Sequence, residues 1–552
     1  MTTTQDSTRL EALRAQARAW LADDPDDSDR AELAAVVAAL PGSAAELADR
    51  FAGPLRFGTA GLRGPLRAGP NGMNLAVVRA AAAGLMHWLD ERGVPGPVVI
   101  GYDARHRSAE FARETARVAT GAGRRALVLP RTLPTPVLAH AVRALDAAAG
   151  VMVTASHNPP CDNGYKVYLG AAAGGPGGDG AQLVPPADEE IEATIREIGP
   201  LAAVSLGDPG EILGEEIVES YVDGAAAVVG RGPRKLVVAY TPMHGVGAGI
   251  FADAMAAARF ASPLVVGEQA EPDPDFPTVA FPNPEEPGAM DRVIALARAG
   301  GADLAIANDP DADRCAVAVP GDRGWRMLRG DEVGILLADH LMRRGVHGRY
   351  ATTVVSSTLL GKLCAARRLP YGETLTGFKW IVRAGTDLVY GYEEALGYCV
   401  APQHVRDKDG ITAALLVCEL AAGLKAAGST LLDRLDELAE EFGVHATDQL
   451  SVRVDDLAEI AAAMRLIRAN PPAALLDEPV TTLDDLLPRT DAVVLSTESA
   501  RVVVRPSGTE AKLKAYVEVV EPIPDGDVPA ARERAAAALS ALRTETAAAL
   551  GL

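Results

Sequence analysis

From residue 77 onward, predicted helices alternate with short apolar runs, and the alternation restarts twice. A helix near 78–91 precedes an apolar run at 97–101, a second near 109–120 precedes 126–129, and a third near 137–145 precedes 149–153. Short strands separated by helices of this length read as βαβ units. After a polar, Gly-rich stretch the pattern resumes, with strands at 235–240, 263–266 and 304–307. It resumes again near 331, with a helix, a strand at 352–356, another helix and a strand at 388–392. From about 446 the pattern changes. Helices near 457–468 and 530–549 flank strand-like runs at 502–504 and 515–520, which predicts an α+β domain. The fold class is therefore α/β, with three similar α/β domains and a different C-terminal one. The 552 residues divide into N-terminal helices with a first α/β domain (1–210), a second (211–328), a third (329–445) and the α+β domain (446–552). That is close to one domain per ~150 residues. The low-complexity stretch 170–180 reads as a flexible surface loop.

A formal charge of −21 argues against nucleic acid and anionic membranes as partners. It also makes any local gathering of Arg and Lys informative. No run approaches the ~18 apolar residues of a membrane span, and the N-terminal stretch has no basic region followed by an apolar core. The five cysteines are scattered, with no C-x-x-C pair. The expectation is a cytoplasmic protein with reduced thiols, either a monomer or a small homo-oligomer.

Five motifs carry polar chemistry. Asp309-Pro310-Asp311-Ala312-Asp313-Arg314 follows the strand at 304–307, and ligands in open α/β sheets bind at the carboxyl ends of strands. Alternate carboxylates repel one another, and together they suit a hard divalent cation, Mg²⁺ or Ca²⁺. An EF-hand would need Gly and Glu where Arg314 and Pro320 stand. Without a cation, the motif is an acidic surface turn. Thr154-Ala155-Ser156-His157-Asn158-Pro159 also follows an apolar strand. It reads either as a reactive hydroxyl or as a capped strand-to-helix turn, and it lacks the glycines of a hydrolase elbow. Arg505-Pro506-Ser507-Gly508-Thr509-Glu510, followed by Lys512 and Lys514, is a phosphate clamp or a plain turn. Gly391-Tyr392-Glu393-Glu394-Ala395-Leu396-Gly397 places two acids after a strand, as acceptors for sugar hydroxyls or as a solvated strand end. Phe57-Gly58-Thr59-Ala60-Gly61-Leu62-Arg63-Gly64 is a Gly-rich loop with one arginine.

Along the chain, the hydroxyl turn at 154–159, the carboxylate motif at 309–314, the polar loop at 391–397 and the clamp motif at 505–510 fall on four successive domains, and this ordered set resembles the α-D-phosphohexomutase superfamily over about residues 57–516, nearly the whole chain. Thr376-Gly377-Phe378-Lys379-Trp380-Ile381, Tyr240-Thr241-Pro242-Met243-His244-Gly245 and residues 391–398 look most like its phosphoglucomutase-2 and phosphopentomutase-type branch. The resemblance implies mixed sheets arranged around a central cleft. It implies that Ser156 is phosphorylated and that Asp309, Asp311 and Asp313 hold Mg²⁺ together with a phosphate oxygen on Ser156. Lys166 is implied as general acid/base, and a base near neutrality would need cationic neighbours to lower its pKa. Arg63 would lie near the nucleophile, and His157 would shape the loop more than transfer protons. Arg314, Lys379, Glu393 and Glu394 would bind substrate, and Arg505, Ser507, Gly508 and Thr509 would hold its non-reacting phosphate. The cycle would pass through a sugar 1,6-bisphosphate that turns around in the site. The expected reaction interconverts glucose 1-phosphate and glucose 6-phosphate, with pentose and mannose phosphates as alternatives. Many glucose- and mannose-handling relatives have a serine where this chain has Ala395, which removes a sugar contact.

Overall fold

The computed structural model describes residues 2–57, 61–454, 457–507 and 512–551. They form two compact units, Met1–Pro320 with Ala401–Leu415, and Gly321–Val400 with Leu416–Leu552.

The first unit opens with helices Thr2–Asp23, Asp27–Ala38 and Ala44–Arg50, packed around Ala17, Leu33, Leu47 and Ala68. Asp26 caps the second helix by accepting from the Ser28 amide at 2.7 Å, satisfying a donor that has no partner inside the helix. The first sheet runs in the order Leu62–Pro65, Asp162–Leu169, Ala149–Val153, Val98–Tyr102, Ala126–Val128, Glu211–Ile212. Val98–Tyr102 is parallel to both of its neighbours, as the βαβ reading requires, whereas Asp162–Leu169 pairs antiparallel with both of its neighbours in that order. The sheet is therefore mixed. Val98, Ile100, Val151, Val153 and Val167 share one core with Leu85, Leu89 and Phe111 from the covering helices.

In the second sheet, Val238–Thr241 is parallel to Leu264–Val265 and to Leu304–Ala307, and the last of these pairs antiparallel with Ala316–Gly321. Residues 308–315 are thus the turn at the carboxyl end of a central, wholly buried strand.

The second unit carries a sheet ordered Tyr371–Thr374, Arg349–Thr353, Leu388–Glu393, Gly397–Cys399. A five-stranded sheet in the same unit is antiparallel throughout, in the order Val444–Arg453, Lys512–Glu521, Ala500–Pro506, Val493–Ser496, Thr482–Asp485. Helices Leu457–Ala469 and Val528–Leu550 contribute to its core. The expected α/β class with a distinct C-terminal α+β domain is observed.

Three local expectations change. The strand expected at 235–240 begins only at Val238. The strand expected at 352–356 lies earlier, at Arg349–Thr353. The stretch 170–180 contains a helix, Ala171–Gly174, and is tied down: Arg406 donates to the carbonyls of Pro176 and Gly177 at 3.5 and 3.3 Å. A Gly-rich composition cannot reveal that a distant guanidinium uses its backbone. Among the described residues, no single helix is long and apolar enough to cross a membrane.

Candidate active site

The turn that carries Ser156 begins where the buried strand Ala149–Val153 ends. Ser156 sits at φ 53, in the left-handed region, where a non-glycine residue costs about 1–3 kcal/mol. Its amide donates to Thr154 Oγ1 at 2.8 Å, which closes the turn. Its hydroxyl donates to Asp309 Oδ2 at 2.8 Å and lies 3.2 Å from His157 Nδ1. Burial, then Arg314 and Arg63, push the His157 imidazole well below its ordinary pKa. The ring is therefore neutral, and its 4.0 Å approach to Asp309 is not an ion pair. Arg63 donates to Asn158 Oδ1 at 3.2 Å.

Asp309, Asp311 and Asp313 are all buried, and one oxygen from each lies within 4.8 Å of the others. Close packing shapes the turn. A Cβ on Gly245 would stand 2.3 Å from Pro310 Cα, and one on Gly410 would stand 2.1 Å from the Arg314 carbonyl. Thr135 donates to Asp311 twice, from Oγ1 to Oδ2 at 2.6 Å and from its amide to the Asp311 carbonyl at 3.0 Å. The Arg314 amide donates to Asp309 Oδ1 at 3.0 Å.

Two lysines offset this charge. Lys166 Nζ lies 2.7 Å from Asp311 and 2.9 Å from Asp313, and Lys408 Nζ lies 3.1 Å from Asp313. Burial, reinforced by the charges of Asp311 and Asp313, pushes Asp309 well above the carboxylate range. Lys166 outweighs burial and holds both Asp311 and Asp313 down, helped by the Thr135 hydroxyl at Asp311 and by Lys408 and Arg314 at Asp313. The Lys166 environment does not supply the lowered pKa that a base near neutrality would need. Burial pushes it down, but its two carboxylate partners outweigh burial and hold it above the ordinary lysine value. Asp311 Oδ1 and Asp313 Oδ1 are buried and accept no hydrogen bond. Buried oxygens rarely go without a partner, and a pair of this kind beside a third carboxylate fits a hard divalent cation.

Three residues here were not legible as functional. Lys408 lies in Asp407-Lys408-Asp409, where Asp409 Oδ1 accepts from the Ile411 and Thr412 amides at 3.0 and 3.1 Å, at the start of helix Gly410–Ala426. Charges before a glycine that opens an apolar helix were the available signal. Thr135 and Arg105 left none. Arg105 reaches across to donate to the Ser156 carbonyl at 2.6 Å.

The second unit holds the remaining candidates. Lys379 lies on the short helix Phe378–Ile381, after Gly377 at φ 112. Glu393 ends a strand and is buried, and Glu394 Oε2 accepts from Thr353 Oγ1 and Ser356 Oγ at 3.3 and 3.2 Å. Arg505 faces Lys514 across the pair Ala500–Pro506 and Lys512–Glu521. The Ser507 amide donates to the Lys512 carbonyl at 2.8 Å. Gly508 and Thr509 lie outside the described residues.

Sequence models of the phosphoglucomutase/phosphomannomutase family match the chain four times in succession: alpha/beta/alpha domain I over 54–201, domain II over 219–322, domain III over 329–442 and the C-terminal domain over 450–522. A probable phosphomannomutase of Haemophilus influenzae is 45% identical over 456 residues, covering 81% of this chain and 93% of that protein. A phosphoglucomutase of Staphylococcus aureus is 32% identical over 515 residues, covering 86% and 92%. A probable phosphoribomutase of Schizosaccharomyces pombe is 32% identical over 555 residues, covering 90% and 92%. Among solved structures, a putative phosphomannomutase from Thermus thermophilus matches with a TM-score of 0.69 at 28% identity, covering 89% of this chain and 98% of that one.

Proposed function

Since the chain belongs to the α-D-phosphohexomutase superfamily and is a phosphosugar mutase, we propose that it interconverts glucose 1-phosphate and glucose 6-phosphate through phospho-Ser156 and a sugar bisphosphate. The observation that carries the chemistry is the Ser156 hydroxyl, 2.8 Å from Asp309 in a buried trio of carboxylates. In this reading the phosphoserine turn belongs to 1–210, the metal turn to 211–328, the sugar loop to 329–445 and the phosphate clamp to 446–552. A cytoplasmic location fits five free cysteines.

Mg²⁺ held by Asp309, Asp311 and Asp313 would supply charge neutralisation to the transferring phosphoryl group. The serine oxygen forms its bond to phosphorus as the bond from phosphorus to the sugar oxygen breaks. In the other half-reaction the phosphoryl group leaves Ser156 for the sugar's free hydroxyl. Lys166, held protonated by Asp311 and Asp313, can give a proton to the departing sugar oxygen and, as the free amine, take it back from the attacking sugar hydroxyl in the other half-reaction, while the Ser156 proton passes to and returns from Asp309, which accepts its hydrogen bond. Arg63 and Arg314 add positive charge, and neutral His157 fixes the shape of the turn. Glu393, Glu394 and Lys379 contact the sugar. Arg505, Ser507, Gly508 and Thr509 hold the phosphate that does not react.

A pentose phosphate is the second reading. Ala395 offers no contact to favour the larger ring, and one relative is named a phosphoribomutase. The test is kcat/KM for glucose, mannose, ribose and deoxyribose 1-phosphates, each primed with its bisphosphate. A mannose or ribose value more than about tenfold above glucose would overturn the choice of sugar while leaving the chemistry in place.

Arg505→Ala should raise KM for sugar monophosphates with little change in melting temperature. Charge-assisted hydrogen bonds contribute about 1.5–3 kcal/mol, roughly ten- to more than a hundredfold in binding. Steady-state kinetics beside a thermal melt checks this, and an unchanged KM would reduce the loop to a plain turn.

A further inference from the structure

Arg105 belongs to none of the five motifs, yet its guanidinium is spent on the backbone of the Ser156 turn. It is 4% exposed. Nη2 donates to the carbonyls of Ser156 and Asn158 at 2.6 and 2.5 Å, and Nη1 donates to those of Pro159 and Asp162 at 2.8 and 3.1 Å. The two Nη atoms carry four N–H groups, so each carbonyl can have its own donor. Phe276 packs against the guanidinium face, 4.9 Å from ring centroid to Cζ. The arginine is itself held. Its amide donates to Asp103 Oδ1 at 3.0 Å, and Asn163 Nδ2 donates to the neighbouring His106 carbonyl at 2.8 Å.

Carbonyl oxygens that converge on one point repel each other unless a cation lies between them. The turn also places Ser156 in the left-handed region, a conformation that persists only where the surroundings enforce it. Without the guanidinium, relaxation of the turn would relieve both costs. The Ser156 hydroxyl would then leave its 2.8 Å contact with Asp309.

We propose that Arg105 is the positioning residue of the phosphoryl-carrying turn, holding the Ser156 oxygen in register with the carboxylate trio through the carbonyls of Ser156, Asn158, Pro159 and Asp162. The inference rests on Ser156 being the phosphoryl carrier. Lysine cannot take the role, because a compact ammonium has three donors and no planar face for Phe276.

The test compares wild type, Arg105→Lys and Arg105→Ala by kcat, KM, melting temperature and intact mass, with and without millimolar methylguanidinium. A reacting group displaced by about 1 Å can cost on the order of 10²-fold in rate. Arg105→Lys is therefore expected to lose about that much kcat with KM little changed. Methylguanidinium should restore part of the kcat of Arg105→Ala and none of that of Ser156→Ala. Wild-type kcat in Arg105→Lys would overturn the inference. So would a loss in both variants that matches the unfolded fraction and resists rescue. If Arg105→Ala does not fold, Arg105→Lys decides alone. Absence of phosphate from Ser156 in active wild type would instead overturn the carrier assignment, and this inference with it.

Discussion

Alanine at position 156 is expected to remove nearly all mutase turnover, on the order of 10⁴-fold or more, because no other group can take over the nucleophile's part. The fold should survive. The substitution deletes the hydroxyl's two hydrogen bonds, to Asp309 at 2.8 Å and with His157 Nδ1 at 3.2 Å, and a typical bond of this kind contributes only about 0.5–1.5 kcal/mol. Glycine at the same position gives a sharper control. It adopts the φ of 53 at no steric cost, so Ser156→Gly should be as inactive as Ser156→Ala and melt no lower. Activity assays with added bisphosphate, paired with tryptic mass spectrometry, check the result. Substantial turnover in Ser156→Ala, with the phosphoryl group on another residue, would end the assignment.

The second large effect concerns the carboxylate trio. Chelation should abolish activity, and Mg²⁺ should restore it. Asp311→Asn should lose on the order of 10²-fold or more, since even residues that only orient metal ligands cost 10–100-fold when replaced. The chelated protein should remain folded. Lys166 and Lys408 already offset Asp311 and Asp313, and Asp309 is pushed towards its neutral form. Metal at about a hundred times its dissociation constant adds roughly 2.7 kcal/mol by mass action, so chelation should lower the melting temperature without unfolding the chain. Full activity in a metal-free preparation, or a normal rate in Asp311→Asn, would refute this.

The sequence was most informative where a short apolar strand runs directly into a polar motif, because burial and chemistry then lie side by side along the chain. That made the turns after Ala149–Val153 and Leu304–Ala307 visible. It was silent where the partner is remote. Thr135 is 176 residues from Asp311, and Arg105 is 51 from Ser156. Neither position carries a local signal, because each acts only once two distant segments pack together. The setting of Lys166 was hidden for the same reason: its charge is evident in the sequence, but the carboxylates that grip it come from another sheet. The strand at Val238–Thr241 was placed early because a Lys-Leu-Val-Val run has the right composition whether or not its first residues pair.

The tie between Thr135 and Asp311 bears on how the first unit melts. Asp311 Oδ2 takes both of its hydrogen bonds from residues of the preceding sheet and its helices, Thr135 and Lys166. His106 and Arg105 reach the opposite way, to Asp275 and Phe276. If one sheet opened alone, it would leave buried carboxylates and a buried lysine without partners, at a cost of several kcal/mol. The two sheets should therefore unfold as a single foldon. Calorimetry should record one transition for Met1–Pro320 with Ala401–Leu415, with no separate early peak for the sheet that carries residues 308–315.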